Sequence, residues 1–154
     1  MKSEGIKVIA LNKKASYDYF LFDTYEAGLV LEGSEIKSIR EGRVNLKDSY
    51  VHIKNGEAFI INMHIANYEK SSFFLPSTTR TRKLLLNKIE INKISIKINE
   101  KGFTIVPTRI YLKNGLAKLE IALAKGKHNY DKRNSLKERE VKKELKRYLW
   151  KLQF

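Results

Sequence analysis

Two Asn-Gly pairs, Asn55-Gly56 and Asn114-Gly115, constrain the fold of this 154-residue chain more than any other feature. Asn followed by Gly suits a two-residue type I′ turn. Both central residues take positive φ there, and the turn's twist matches that of the flanking strands. Each pair sits between strand-forming runs. Tyr50-Val51-His52-Ile53 and Ala58-Phe59-Ile60-Ile61 flank the first, and Arg109-Ile110-Tyr111-Leu112 and Leu116-Ala117-Lys118-Leu119 flank the second. The spacing predicts two β-hairpins well separated along the chain.

More extended sequence surrounds them. Ile6, Val8 and Ala10 alternate with polar residues as a short strand does. Tyr17 to Tyr25 is dense in aromatic residues, and after a turn near Glu26 the run Gly28-Leu29-Val30-Leu31 reads as a second extended piece. Thr79 to Gly102 fits two periods. Ile94, Ile96 and Ile98 alternate like a strand, whereas Leu84, Leu85, Ile91, Ile94 and Ile98 form a helical stripe. The length, the Lys and Glu throughout, and Gly102 as a stop favour a helix. Hairpins with helices between them predict a mainly β fold, an OB-like small β-barrel with inserted helices over residues 1–124. A chain of this size buries roughly 70% of its unfolded surface, enough for one domain with a proper core.

Residues 125–154 differ in character. They hold eleven Lys and Arg against four acids, a net of +7 and half of the whole chain's +14. Ser135 and Glu138 make a capping-box pair. Val141, Leu145, Tyr148, Leu149 and Leu152 follow on one apolar face, flanked by Lys142, Lys143, Lys146, Arg147 and Lys151. A helix from Ser135 to Phe154 would be roughly 30 Å long. Alone it is marginal in water, so the basic C-terminal tail is expected to be disordered when free and to become helical on binding. A terminal helix docked on its own barrel and a basic membrane-surface helix are the rival readings of the same residues.

The charge points to a polyanion. Ile, Lys and Asn together are what A/T-biased coding yields, so lysine excess alone says little. Clustering in the tail and in the triplet Arg80, Arg82, Lys83 says more, and favours RNA or DNA. The chain has no cysteine, which removes disulfides, thiolate metal sites and cysteine nucleophiles. No apolar run approaches the roughly 20 residues that span a bilayer. Lys7, Asn12 and Lys13 interrupt any signal-peptide core in Met1 to Lys14, so a cytoplasmic location is expected. His52, His64 and His128 are scattered and form no metal-binding pair, and no phosphate-loop pattern occurs. His52 and His64 fall in strand patterns as sheet residues. Asp18, Asp23, Glu26, Glu35 and Asp48 are acids to be solvated or paired with Lys and Arg, and neither catalysis nor a cofactor or metal is expected.

Four stretches of the chain resemble the SsrA-binding protein (SmpB) family. The first runs from Leu11-Asn12-Lys13-Lys14-Ala15 to Tyr25-Glu26-Ala27-Gly28. The second is Gly33-Ser34-Glu35-Ile36-Lys37-Ser38-Ile39-Arg40 with Gly42 and Asn45-Leu46-Lys47-Asp48-Ser49-Tyr50. The third is Arg80-Thr81-Arg82-Lys83-Leu84-Leu85-Leu86. The fourth joins Ala124-Lys125-Gly126-Lys127 to Asp131-Lys132-Arg133 and Lys137-Glu138-Arg139-Glu140. They fall in the family's order and cover nearly the whole chain.

The resemblance implies a monomeric OB-type barrel that binds the tRNA-like part of transfer-messenger RNA. That RNA, charged with alanine and held by elongation factor Tu, is carried into the empty A site of a stalled ribosome. The family's RNA-contacting positions fall on Asn12, Glu26, Leu85 and Asn87. Glu26 would accept from base N–H groups or 2′-hydroxyls, Asn12 and Asn87 would meet base edges, and Leu85 would pack on a base plane. Arg80, Arg82 and Lys83 would contact phosphates. The tail residues Lys125, Lys127, Tyr130, Asp131, Lys132 and Arg133 would meet the small subunit's decoding region along the mRNA path, with Tyr130 stacking on a base. Tyr148 and Leu149 align with an apolar pair implicated in accommodation. From the residues alone, Glu26 is an ordinary turn carboxylate and Leu85 a core residue. A general single-strand-binding OB protein, a ribosomal protein, or a protein-interaction module would also carry such charge.

Overall fold

The computed structural model describes residues 5–68, 75–127, 143 and 145–147. Its centre is an antiparallel sheet of seven strands in the order β1-β8-β9-β2-β7-β5-β4. Both Asn-Gly turns form as their chemistry requires. β4 (Tyr50–Lys54) and β5 (Glu57–Ile61) pair from Tyr50↔Ile61 to Lys54↔Glu57. Asn55 and Gly56 between them take φ of 54° and 74°. β8 (Thr104–Lys113) and β9 (Leu116–Gly126) close the same way around Asn114 and Gly115, at φ 51° and 81°. β1 (Ile6–Leu11) adds to the outer side of β8. β4, at the opposite edge, comes back against β8, so the sheet is rolled into an OB-like barrel. β3 (Val44–Asn45) and β6 (His64–Ile65) form a separate short pair.

Alternation along the strands builds the core. Ile105 and Ile110 of β8, Leu119 and Ile121 of β9 and Ile60 of β5 are almost wholly inaccessible. Ile39 of α2 (Gly33–Arg40) and Ile94 of α3 (Lys88–Lys101) enter the same cluster. Burying one such side chain is worth about 2–3 kcal/mol, which fixes both helices on the barrel.

Two local expectations change. Residues 79–102 are not one helix. β7 (Arg82–Leu85) comes first and only Lys88 to Lys101 is helical, ending on Gly102 in the left-handed region at φ 69°. Arg82 and Leu84 face inward and Lys83 and Leu85 outward, the period of a strand, and β7 gains ladder bonds on both sides from β2 and β5. The turn near Glu26 is also absent. β2 (Tyr19–Leu29) runs straight through it, with Glu26 opposite Glu120 of β9 and an irregularity between Leu21 and Thr24. Ladder pairing outweighs the local polarity because Glu26 stands on the outer face. Tyr17 and Asp18 belong instead to a short helix, α1 (Lys13–Asp18). β9 reaches Gly126, so Lys125 lies in the barrel, two residues of which continue past position 124.

Of the expected tail helix, positions 143 and 145–147 are described, and they are helical. Tyr130, Asp131, Lys132, Arg133, Tyr148 and Leu149 lie outside the described residues. Among the described residues no helix is long and apolar enough to cross a membrane.

Candidate RNA interface

The structure gathers Glu26, Lys83, Leu85 and Asn87 around one open depression, where β2 meets β7 and the start of α3. Gly28 creates the floor. It pairs with Leu85 across the β2/β7 ladder, and a Cβ on Gly28 would lie 3.2 Å from the Leu85 Cβ. With no side chain there, Leu85 stands out from the sheet at 54% exposure, a large apolar surface presented to solvent. It is therefore not the core residue that its hydrophobicity alone suggests.

Asn87 occupies the N-cap of α3, but its side chain makes no capping hydrogen bond. An N-cap Asn usually contributes about 1 kcal/mol through that bond. Here the amide is left available at the rim, beside Lys88 and Lys83.

Glu26 is held from behind. The Tyr111 hydroxyl donates to its Oε2, and Lys113 Nζ lies 3.6 Å from the same oxygen. The Tyr111 bond above all, opposed by burial and joined by Lys113 and Lys118, keeps the Glu26 carboxyl below its ordinary range. Burial, with the bond to Glu26, pushes the Tyr111 hydroxyl up, so it stays a donor. Tyr111, Lys113 and Lys118 carry no motif; the only sequence signal was their alternation with core residues in the second hairpin.

The lining mixes Lys83, Lys88 and Lys118 with Glu26, Glu57 and Glu90. Such a surface is a poor trap for phosphate alone. A carboxylate acceptor, an amide and an apolar plate, rimmed by lysines, suit the base edges and 2′-hydroxyls of an unpaired RNA loop.

The remaining expected residues lie elsewhere. Arg82 is fully buried and is not available to phosphate as its charge had suggested. It turns inward because an acceptor set is waiting there. Its Nε donates to Glu35 Oε2 at 2.6 Å, Nη1 to the carbonyls of Met63 and Arg80, and Nη2 to the carbonyl of Thr78. Arg80 Nη2 donates to Glu35 Oε1 at 2.6 Å, and the Glu32 amide donates to the same oxygen at 2.8 Å. Burial pushes the Glu35 carboxyl up, but these donors together hold it below the ordinary carboxylate range. Arg80 keeps part of its surface exposed.

Asn12 is not at the depression. It caps α1, accepting from the Ala15 amide at 3.3 Å and donating to the Pro107 carbonyl at 2.8 Å. It lines a second groove with Lys14, Asp48 and Tyr50. Lys125 is exposed on β9, while Lys127 donates to the Ser16 carbonyl and sits over the Phe20 ring. His52 and His64 are exposed on β4 and β6. No cluster of His, Cys, Asp and Glu fit for a metal occurs among the described residues.

Comparison with known proteins adds an independent line. The family model described as SmpB protein matches residues 9–151. An SsrA-binding protein of Persephonella marina is 59% identical over 149 residues, covering 96% of this chain and 98% of that protein. One of Thermoanaerobacter pseudethanolicus is 53% identical over 148 residues, covering 96% and 95%. A solved chain described as "tmRNA-SmpB: a journey to the center of the bacterial ribosome" matches with a TM-score of 0.66 at 42% identity, over 80% of this chain and 87% of that one. With a family model spanning nearly its whole length and relatives this similar from end to end, the chain belongs to the SsrA-binding protein (SmpB) family.

Proposed function

We propose that this chain is an RNA-binding protein of trans-translation. Its barrel takes the tRNA-like part of transfer-messenger RNA, and the complex enters the A site of a stalled ribosome, with elongation factor Tu as an indirect partner. The observation that carries the barrel's part is the meeting of Glu26, Lys83, Leu85 and Asn87 at one depression. Leu85 packs on a base plane, Glu26 accepts from base or ribose donors, Asn87 reads an edge, and the lysines steady the backbone. Arg82 and Glu35 act indirectly by fixing the strand that displays these groups. The tail, with Tyr130, Asp131, Lys132 and Arg133 and the pair Tyr148 and Leu149, takes the mRNA path that is empty on a stalled ribosome. Its +7 charge suits a channel lined by RNA phosphates.

Purifying the chain from its own cells at moderate salt and sequencing the bound RNA tests this. Transfer-messenger RNA should dominate; a featureless mixture would mark a general single-strand binder instead. Truncation after Tyr130 should leave RNA affinity largely intact and abolish ribosome rescue. A truncated chain that loses the RNA refutes the division between barrel and tail.

A further inference from the structure

We infer that Tyr111 is a positioning residue for RNA recognition: it fixes one oxygen of Glu26 so that the carboxylate presents its other oxygen to the N–H groups of an unpaired base. This rests on the reading of the depression as the RNA interface. Glu26 Oε2 takes the Tyr111 hydroxyl and the approach of Lys113, whereas Oε1 has no protein donor among the described residues. The Glu26 side chain is 40% exposed, so its free edge meets the depression and solvent.

Tyr111 itself cannot move. It is 3% exposed, between Val8 of β1 and Lys118 of β9 in the sheet register. The Arg109 guanidinium covers its ring at 4.8 Å, and Arg109 Nε lies 3.4 Å from Glu120 Oε2. The Thr108 hydroxyl donates to the same Glu120 oxygen. Glu26 is thus tied to two strands through a side chain that is itself clamped. An unclamped exposed glutamate would have to give up rotamer freedom on binding. Tyr111 has already met that cost in folding.

The groups facing Glu26 are Tyr111 and Lys113 of β8, Lys118 and Glu120 of β9, and, across the depression, Lys83, Glu57, Lys88 and Glu90. Of these, the Tyr111 hydroxyl has the largest hold on the carboxyl's ionisation. Removing it lets Glu26 protonate at higher pH, and a protonated carboxyl is a poorer acceptor.

The test measures affinity for a transcript of the tRNA-like domain of transfer-messenger RNA, using the full chain and the variants Tyr111→Phe, Glu26→Gln, their combination, and Leu85→Ala. Phe keeps the ring and its packing, and thermal melting checks that each variant is folded. Tyr111→Phe should weaken binding roughly fivefold at neutral pH, the effect of one hydrogen bond. Its acid-side loss of binding should begin at higher pH than the parent's, and Glu26→Gln should abolish that difference. In the Glu26→Gln background the Tyr111→Phe change should cost less than about twofold, since both act through one contact. If Glu26→Gln weakens binding while Tyr111→Phe leaves affinity and pH profile unchanged, the positioning role is overturned. Losses that simply multiply in the double variant overturn it as well. If Glu26→Gln and Leu85→Ala both bind like the parent, the interface reading itself falls, and this inference with it.

Discussion

Replacing Arg82 by Met separates what its charge suggests from what the structure assigns it. Arg82 is wholly buried, and its guanidinium makes bonds to Glu35 and to the carbonyls of Met63, Arg80 and Thr78. Met fills the path of the side chain as far as Nε but supplies no donor. Glu35 Oε2 then loses its partner at 3% exposure, and the carbonyls of Met63, Arg80 and Thr78 each lose one donor. Removing one member of a buried ion pair costs about 3–5 kcal/mol, because the desolvated charge left behind is uncompensated. Arg80 and the Glu32 amide still hold Glu35 Oε1, which places the expectation toward the lower half of that range.

A domain is stable by only about 5–15 kcal/mol in all, so the variant should melt roughly 10 °C below the parent. Guanidinium unfolding followed by circular dichroism should show a lower midpoint at an unchanged slope. Arg82→Lys should recover little, since an ammonium cannot reproduce the planar fork. Glu35→Gln combined with Arg82→Met should cost well under the sum of the two single losses, since each breaks the same pair. An Arg82→Met midpoint within about 1 kcal/mol of the parent, with the salt slope of RNA binding reduced by about one phosphate, would refute the reasoning. Arg82 would then be the phosphate ligand its charge suggests.

Three further changes test neighbouring parts of the structure. Gly28→Ala should stay within about 1 kcal/mol of the parent in stability. Its new methyl meets Leu85 at 3.2 Å, so RNA affinity in a filter-binding titration should fall about threefold. Asn87→Ala should cost less than about 0.5 kcal/mol in urea unfolding, because no capping bond is lost, yet weaken RNA binding. In acid, Glu35 has a depressed folded pKa, so its stabilisation is complete above its ordinary value of 4.5 and disappears as pH falls through the lower folded value. The parent should therefore lose stability as pH falls from 4.5 through that lower value, and Glu35→Gln should show a flatter dependence in the same window.

What could be read from the sequence was what local chemistry decides. The Asn-Gly turns form because positive φ at both positions is a property of those two residues and little else. Gly102 ends α3 for the same kind of reason. The misread places are those where a distant partner decides. Arg80, Arg82 and Lys83 look like one basic cluster in the chain, but the strand's alternation and a carboxylate 47 residues away turn Arg82 into the interior. Glu26 looks like a turn residue until β9 pairs with it and Tyr111, 85 residues on, ties it down. Asn12, expected at the RNA, also joins α1 to a carbonyl of β8 through its side-chain amide. No local window contains these facts.

The depression differs from the rest of the barrel in a way that bears on its use. Around Glu35 both carboxylate oxygens meet strong donors, and the arrangement is what folding alone would favour. Around Gly28 the choices run the other way. A glycine stands inside a strand, where it is entropically costly; a leucine on the outward face of β7 is left uncovered; and a capping asparagine declines its capping bond. Each is a small local loss, and none is repaid by a contact within the described fold. Natural chains depart from local consistency chiefly where something other than folding constrains them. Three such departures lining one depression, beside a carboxylate held in place from behind, are better explained by selection for recognition than by chance. The unpaired RNA loop proposed as the partner would supply what each lacks: a base plane for Leu85, an edge for Asn87 and donors for Glu26.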